Sequence, residues 1–392
     1  MFETLDPRPA DALLGLMAAF REDPREDKID LGVGVFRNDE GQTPILQAVR
    51  DAERQLAETG TTKVYEGPRG NQDYASAIAK FFYGDQGPKG GLVSFATPGG
   101  TGALSLAAMF MARANANATV WISNPTWPNH HHVVKSAALK TAPYDYAGPA
   151  DTAPNLEKML EDLRAAKPGD VVLLQGPCHN PTGVDLTEDQ WKEVANFCNA
   201  QGLTALIDVA YHGFASSLED DLKGAQTFLA HVDEALVAYS CSKNFGLYRD
   251  RSGCLLLQSK TQDIAEASAT HLADIGRAVY SMPPAHGPAI VATILNDPAL
   301  KQAWTDEVDA MRTRVNMLRQ GIADALVPRS NSYDPQTLVK QNGMFSQLPF
   351  KEGGIAALKE KGIYIPGSGR INIAGLAQSD VVRAAEMMSE YL

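Results

Sequence analysis

Lys243 follows two serines, Ser240 and Ser242, in "AYSCSKNFGLYRDRSG", a segment that begins as an apolar, strand-like run. A lysine at a strand end is usually a solvated surface residue, but Ser240 and Ser242 before it and Asn244 after it would place this one within reach of a cleft. Arg249 and Arg251 follow closely, and nearby positive charges lower the pKa of a lysine amine. A neutral primary amine is the nucleophile that imine formation requires. The segment therefore predicts a lysine that reacts with a carbonyl group.

Two further segments place polar side chains in or after apolar runs. Asp208 stands inside "LIDVAYHGF", where a buried carboxylate is costly unless it is paired or hydrogen-bonded. It could bond backbone groups at the strand end or pair with a cationic group of a ligand, and Tyr211 adds a phenol nearby. In "GPCHNPTG", Pro181 holds Asn180 in an extended conformation, which is consistent with an amide that contacts a ligand or with an ordinary polar turn.

The segment "TPGGTGA" separates the apolar run "LVSFA" from the helical pattern "LSLAAMFMARA". Glycines before a helix leave backbone N–H groups open to an anion, and the helix dipole favours a phosphate there. A tight strand-to-helix turn explains the glycines equally well. The segment lacks the GK[ST] of a nucleoside-triphosphate loop and the full GxGxxG of a dinucleotide site, so a single phosphate is the better prediction.

These segments need an α/β scaffold to bring them together. The runs "LVSFAT", "ATVWIS", "VVLLQG", "TALIDVAY", "ALVAYS" and "GCLLLQ" predict buried strands, and helical patterns lie between them. One helix should begin after Thr187 and end at Gly202. Strands that alternate with helices predict a mainly parallel sheet, whose carboxyl edge is where ligands bind. All four polar segments follow or interrupt predicted strands, so we expect them to meet there.

From about Pro298 onward, the sequence predicts a smaller α+β region. A long amphipathic pattern, "KQAWTDEVDAMRTRVNMLRQGIADAL", is followed by a mixed segment that ends in "GRINIAGL", and "KIDLGVGVF" near the start is a short strand that could pair with either region. We predict a large domain over residues 44–305 and a small domain formed by residues 1–43 and 306–392.

Composition excludes several classes of protein. The chain has 392 residues and a formal net charge of −12, which argues against a general nucleic-acid surface. Its four cysteines form no CxxC pair, and its first residues lack a signal-peptide pattern, so we expect a soluble cytoplasmic protein. The run from His130 to His132 does not predict a metal site, because adjacent residues on a helix or strand point apart.

One cofactor would use all of these groups. Pyridoxal phosphate needs a lysine amine for its aldehyde, a carboxylate beside its ring nitrogen, donors for its phenolic oxygen and a cradle for its phosphate. The sequence offers a candidate for each in the four segments above.

The ordered motifs resemble class I aminotransferases, the aspartate and aromatic amino-acid aminotransferase group with the fold type I architecture of pyridoxal-phosphate-dependent transferases. The resemblance covers nearly the whole chain, through "KIDLGVGVF", "TTKVYEG", "TPGGTGA", "NPTWPNH", "CHNPTG", "DVAYHGF", "SCSKNFGLY", "PPAHG" and "SGRINIAGL". It implies an α/β fold with a mainly parallel sheet in the large domain and a smaller α+β domain.

The resemblance implies a role for each motif residue. Lys243 would form the imine with the cofactor and then move a proton between the substrate's Cα and the cofactor. Asp208 would pair with the ring nitrogen, with His130 behind it, although His130 could instead be a satisfied buried histidine. Tyr211 and Asn180 would bond the phenolic oxygen. The phosphate would be bound by Gly100, Thr101, Ser240, Ser242 and Arg251.

The resemblance also implies the substrate contacts. Arg370 would clamp the α-carboxylate, for which bidentate guanidinium geometry is suited, and Gly34 and Asn180 would lie beside it. Trp127 would stack on the cofactor ring and act with Lys243 in catalysis, although a tryptophan alone fits a core position at least as well.

Two residues would act across a dimer. The resemblance implies that Tyr65 reaches the partner's cofactor phosphate, where it counts among the catalytic residues, and that Arg277 reaches the partner's substrate side chain. Each active site would then need both chains, so a two-fold symmetric homodimer is expected.

The implied reaction is a ping-pong transfer of an amino group from aspartate or an aromatic amino acid, or both, to 2-oxoglutarate. Arg277 favours acidic side chains, but Phe36, Val64 and Met282 stand where the strict dicarboxylate pattern has tyrosine, asparagine and asparagine. These apolar residues favour an enzyme with dual specificity. A strict aspartate aminotransferase, or β-elimination or decarboxylation on the same fold, is the alternative.

Two other classes of protein would require sequence features that this chain does not have. A non-catalytic regulatory protein would require loss of the lysine or an added DNA-binding segment, and neither is found in the sequence. A nicotinamide-dependent oxidoreductase would require the dinucleotide fingerprint, which the sequence lacks.

Overall fold

The computed structural model describes residues 2–7, 12–329 and 332–392, and a seven-stranded sheet lies at its centre. The strands are β2 (Gly91–Pro98), β3 (Thr119–Asn124), β4 (Lys140–Asp145), β5 (Val171–Gln175), β6 (Thr204–Val209), β7 (Ala235–Ser240) and β8 (Ser252–Ser259). Their order is β2-β8-β7-β6-β5-β3-β4. Neighbours from β7 to β4 are parallel, and β8 is antiparallel to both β2 and β7. The predicted α/β class with a mainly parallel sheet is confirmed.

Helices cover both faces of this sheet, which explains why most of its strands are continuous apolar runs. In β5, Val171 and Leu173 face one hydrophobic cluster, and Val172 and Leu174 face another. The first cluster includes α4 (Gly99–Ala114), α5 (Asn129–Ser136) and α9 (Gln262–Val279). The second includes α2 (Gln47–Thr59), α3 (Gln72–Tyr83), α6 (Leu156–Leu163), α7 (Glu188–Gln201), α8 (Lys223–His231) and α10 (His286–Asn296).

Helix α7 illustrates how local sequence sets an element's bounds. The Thr187 side chain accepts a hydrogen bond from the Gln190 backbone N–H, and the Gln190 side chain bonds back to the Thr187 backbone, which forms a capping box. Gly202 ends the helix with a left-handed φ of 67°, a conformation that favours glycine. Both predicted ends of this helix are confirmed.

A smaller region is built from the two ends of the chain. Its short strands β1 (Ile29–Asp30) and β10 (Ile363–Tyr364) pair in parallel, and β9 (Phe345–Gln347) pairs antiparallel with β11 (Arg370–Asn372). The strand in "KIDLGVGVF" therefore pairs with the C-terminal region. The helices are α1 (Ala12–Glu22), α11 (Pro298–Leu326), α12 (Gln336–Lys340), α13 (Gly354–Glu360) and α14 (Val381–Ser389).

Helix α11 links the two regions, since it packs against α2 and α10 on one side and against α14 on the other. The predicted boundary between residues 305 and 306 falls within this continuous helix. The division into domains at that point stays a prediction.

One strand of the central sheet was missed from the sequence. β4 lies at the edge of the sheet, most of its residues are not buried, and it contains Pro143, so it shows no apolar run. Among the described residues, no helix combines the length and apolar character needed to cross a membrane.

Candidate active site

A cavity of about 210 Å³ lies at the carboxyl edge of the central sheet. Gln175 and Ser240 end strands β5 and β7, Asp208 is close to the end of β6, and all three line the cavity. Its wall combines polar and apolar groups, with further lining by Gly34, Gly100, Thr101, Leu104, Trp127, Asn180, Ala210, Tyr211, Ser242, Lys243, Tyr248 and Arg251. Most of the residues singled out from the sequence therefore meet in one place.

Lys243 follows strand β7 and projects its Nζ to 4.7 Å from the centroid of the Tyr211 ring. The pKa of this amine is lowered to about 8, mainly by burial. The negative charge of Asp208 opposes this shift, and the positive charges of Arg251 and Arg370 add to it. The predicted depression of the pKa is thus present, but desolvation is its main cause. Arg370 contributes from a distant part of the sequence, and Arg249 is not among the causes.

Asp208 carries a buried hydrogen-bonded chain on its outer side. Its Oδ2 lies 3.0 Å from Nε2 of His130, and Nδ1 of His130 lies 2.8 Å from Oγ1 of Thr126. Asp208 and His130 are 8% and 0% exposed, so the chain is shielded from solvent on the side away from the cavity. Such a chain fixes the orientation of the imidazole and the carboxylate and leaves the other oxygen of Asp208 for a ligand.

The Asn180 side chain forms hydrogen bonds with both Tyr211 and Arg370. Its Nδ2 donates to the phenolic oxygen of Tyr211 over 3.2 Å, and its Oδ1 accepts from Nη1 of Arg370 over 3.3 Å. Burial holds the pKa of Tyr211 well above its usual range, so this phenol remains a proton donor. The pKa of Arg370 is lowered by burial, and its Nε has no partner although Nη2 donates to the Gly32 carbonyl.

A compact anion cradle lies where β2 turns into α4. Gly99 has a φ of 71°, and a Cβ placed there would lie 2.5 Å from Nη2 of Arg251. A Cβ on Gly100 would lie 2.8 Å from that of Ser240. Ser240 donates to Ser242 over 3.1 Å, and Arg251 Nη1 lies 3.5 Å from the Ser242 hydroxyl. Glycine is therefore required for the hydroxyls, the guanidinium and the N-terminus of a 16-residue helix to converge.

Trp127 and Gly34 both line this cavity. The Trp127 ring is half-buried and meets His130 edge-on, with centroids 5.3 Å apart. Gly34 approaches the Phe345 ring so closely that a Cβ would lie 2.9 Å from its Cζ. The second histidine of the "HHH" run and the third are exposed on α5, and the described residues contain no group of side chains that could hold a metal ion.

Tyr65 and Arg277 are not brought to the cavity within one chain. Tyr65 is 87% exposed. Arg277 is exposed near the end of α9, where its Nη1 donates to the Ser281 hydroxyl over 2.6 Å.

Three residues near the cavity were missed from the sequence. Gln175 donates to Oγ1 of Thr126 and to the Asn180 carbonyl, both over 3.2 Å, and accepts from the Asn180 N–H. Its position at the end of β5 was the signal that could have revealed it. Tyr248 accepts from the Phe36 N–H over 3.0 Å, and Phe345 lies beneath Arg370, with the guanidinium carbon 4.2 Å from the ring centroid.

The donor set fits pyridoxal phosphate. The cradle of glycines, serines and Arg251 suits one phosphate, Asp208 suits a protonated ring nitrogen, and Lys243 supplies an amine of lowered pKa. These groups all line one cavity.

Comparison with known proteins assigns the chain to a family. The sequence model described as "Aminotransferase class I and II" matches residues 26–388. The chain is 42% identical over 386 residues to a tyrosine aminotransferase of Rhizobium meliloti, with 98% of each chain covered. It is 41% identical to an aromatic-amino-acid aminotransferase of Paracoccus denitrificans, covering 100% of this chain and 99% of the relative. For an aspartate aminotransferase of Escherichia coli the identity is 40%, with 98% of each covered.

Solved structures agree with the sequence relatives. The aromatic-amino-acid aminotransferase from Burkholderia pseudomallei, covalently bound to pyridoxal phosphate, superposes with a TM-score of 0.96 at 36% identity. The alignment covers 100% of this chain and 99% of that one.

Proposed function

Because this chain belongs to the class I and II aminotransferases, whose cofactor is pyridoxal phosphate, we propose that it transfers the amino group of aspartate and of aromatic amino acids to 2-oxoglutarate. The observation that carries the proposal is the buried Lys243 amine, which lines one cavity together with Asp208 and the proposed phosphate cradle. The chain is also similar over its whole length to enzymes with both specificities. When bound, the cofactor supplies an electron sink for the carbon from which a proton is removed.

Lys243 is the residue we assign to covalent attachment and proton transfer. Its amine is neutral over more of the pH range than an exposed lysine, because its pKa is lowered to about 8. A neutral amine can bind the cofactor's aldehyde and can accept a proton from the substrate's Cα.

The remaining cavity residues would orient the cofactor. Asp208, held by His130, would bond the ring nitrogen, and Tyr211 and Asn180 would bond the phenolic oxygen. Trp127 would cover one face of the ring. The phosphate would be bound by Gly100, Thr101, Ser240, Ser242 and Arg251.

Arg370 would bind the substrate's α-carboxylate. Its Nε is buried without a partner, and a buried guanidinium with a free donor favours an anion that completes its hydrogen bonds. Asn180 is bonded to Arg370 and would fix its orientation, and Gly34, which lines the cavity, would lie beside the carboxylate.

A homodimer with shared active sites would complete the cavity. Tyr65 and Arg277 lie outside the cavity of their own chain, which supports a role in the partner's site. Tyr65 would reach the partner's phosphate and Arg277 the partner's substrate side chain, in an assembly that we place in the cytoplasm.

Dual specificity is favoured by the apolar residues Phe36, Val64 and Met282. Phe36 is buried, while the Met282 sulphur accepts a hydrogen bond from the Glu66 N–H over 3.1 Å, which ties it to the segment that carries Val64. Methionine adapts to ligands of different shape, so an aromatic ring and an acidic chain could share the site. The test compares kcat/KM for aspartate, phenylalanine and tyrosine with 2-oxoglutarate. A value for phenylalanine several orders of magnitude below that for aspartate would leave a strict aspartate aminotransferase.

The reaction class is tested by titrating the purified holoenzyme with each amino acid while following its absorbance spectrum. Amino-group exchange converts the spectrum to that of the aminated cofactor and releases a 2-oxo acid. Release of ammonia or carbon dioxide instead would indicate elimination or decarboxylation. Lys243→Ala should bind the cofactor without covalent attachment and lose turnover, and full activity of this variant would contradict the assigned role.

A further inference from the structure

Arg319 is a buried cation outside the cavity. It lies on α11, is 2% exposed, and forms none of the ion pairs found among the described residues. Burying a guanidinium without a carboxylate is costly unless other acceptors satisfy its hydrogens. Its position therefore requires an explanation in terms of what it binds.

The acceptors of Arg319 all belong to one short segment, residues 338–346. Nη1 donates to the Leu338 carbonyl over 3.0 Å and to the Ser346 hydroxyl. Nη2 donates to the carbonyls of Gly343 and Phe345, over 2.6 and 3.2 Å. One rigid guanidinium thus holds the irregular stretch between α12 and β9 through four acceptors.

The same segment carries the ring that supports Arg370. While the Phe345 carbonyl faces Arg319, the Phe345 ring lies 4.2 Å from the guanidinium carbon of Arg370 and meets Tyr211 edge-on, with centroids 5.6 Å apart. Strands β9 and β11 are paired, so the backbone of Arg370 depends on the same strand. A shift of β9 would move both the ring beneath Arg370 and the strand that carries it.

We propose that Arg319 is a positioning residue that fixes strand β9 and, through Phe345, sets the orientation of Arg370 for the substrate carboxylate. This inference rests on the carboxylate-binding role proposed for Arg370. Arg319 lies in the core of the smaller region and does not contact the cavity. It would nevertheless affect substrate affinity, and this effect can be separated from its effect on folding.

The test is steady-state kinetics of the holoenzyme with aspartate as donor, for wild type, Arg319→Lys and Arg319→Met. We expect KM for aspartate to rise about tenfold in Arg319→Met, with a smaller change in kcat, because small misplacements of a binding group lower affinity strongly. Arg319→Lys retains a charge and part of the hydrogen bonds and should restore part of the affinity. An unchanged KM in both Arg319 variants would overturn the inference.

A double-mutant cycle that combines Arg319→Met with Phe345→Leu tests whether Arg319 affects KM through Phe345. If Arg319 acts through Phe345, the KM of the double variant should be close to that of Phe345→Leu alone. Additive increases would contradict this route.

Ser346→Ala removes one acceptor at little cost to packing and is expected to raise KM about twofold. If neither Arg319 variant folds, an unchanged KM in Ser346→Ala overturns the inference.

Two controls separate the outcomes. Val315→Ala, one turn earlier on α11 and fully buried, should lower the melting temperature without changing KM. Arg370→Ala should raise KM more than any Arg319 variant. If Arg370→Ala raises KM and the Arg319 variants do not, the proposed function stands and the inference fails. If Arg370→Ala leaves KM unchanged, the role of Arg370 is wrong and the inference falls with it.

Discussion

At the residue scale, burial sets the reactivity of Lys243. Its pKa is lowered to about 8, so in cofactor-free protein the amine should be neutral from about pH 8 upward. Competitive acylation followed by peptide mass spectrometry should give a half-maximal rate at residue 243 near pH 8. Asp208 raises this pKa, so Asp208→Asn should move the midpoint to lower pH. A midpoint near 10.5, the ordinary value for lysine, would contradict the burial of the amine.

Gln175 connects two parts of the site through hydrogen bonds to Thr126 and to both backbone groups of Asn180. Gln175→Met keeps the volume but leaves buried groups without partners, which costs about 1–3 kcal/mol for each group. We expect kcat/KM to fall about tenfold or more. The matched control is Gln258→Met, a buried glutamine on β8 that caps the end of α8, which should lower stability without this loss. Equal losses in both variants would argue against a specific role for Gln175.

Some residues of the site could be predicted from the sequence and others could not. Lys243 and Asp208 could be recognised because a charged residue in an apolar run needs a partner. Phe345 gave no such signal, since an aromatic residue in a short strand is ordinary, and its importance depends on Arg370 lying above its ring. The effect of Arg370 on the pKa of Lys243 could not be predicted either, because the two residues are distant in sequence and meet only in the fold.

At the element scale, prediction succeeded where strands are buried on both faces. Six of the strands in the central sheet are continuous apolar runs, whereas the edge strand β4 contains Pro143 and is mostly not buried. The small strands β9 to β11 have two or three residues each and exist only through pairing with distant partners, so local sequence could not specify them. Ligands bind at the carboxyl ends of the strands in a parallel sheet. The location of the site could therefore be predicted even though the order of the strands in the sheet could not.

The turn from β2 into α4 offers a test of the phosphate cradle. Gly99→Ala would place a methyl group 2.5 Å from Nη2 of Arg251 and displace that guanidinium. We expect the dissociation constant for pyridoxal phosphate to rise at least tenfold, because a charge-assisted phosphate contact is lost. Cofactor release can be followed by absorbance after gel filtration.

The control for this turn is Gly353→Ala. Gly353 also precedes a helix with positive φ, 77° compared with 71° for Gly99, but nothing lies within 4 Å of an added Cβ. Both variants carry similar backbone strain, so only displacement of Arg251 distinguishes them. A similar loss of cofactor affinity in Gly353→Ala would show that strain alone accounts for the effect.

At the scale of the whole molecule, the open question is whether one chain can form a complete site. Within one chain, Lys243, Asp208 and Arg251 line the cavity, but Arg277 does not line it and Tyr65 is 87% exposed. An exposed tyrosine beside the exposed Val64 has no evident role in a monomer. A second chain that receives Tyr65 and Arg277 would account for both.

Subunit mixing tests the shared site directly. Lys243→Ala and Arg277→Ala homodimers should each be nearly inactive with aspartate. After the two variants are unfolded and refolded together, about half of the dimers should be hybrids, and each hybrid holds one site with Lys243 from one chain and Arg277 from the other. The mixture should therefore recover about a quarter of the wild-type activity. Refolding each variant alone is the control, and absence of recovery in a mixture that forms dimers would mean that Arg277 serves its own chain.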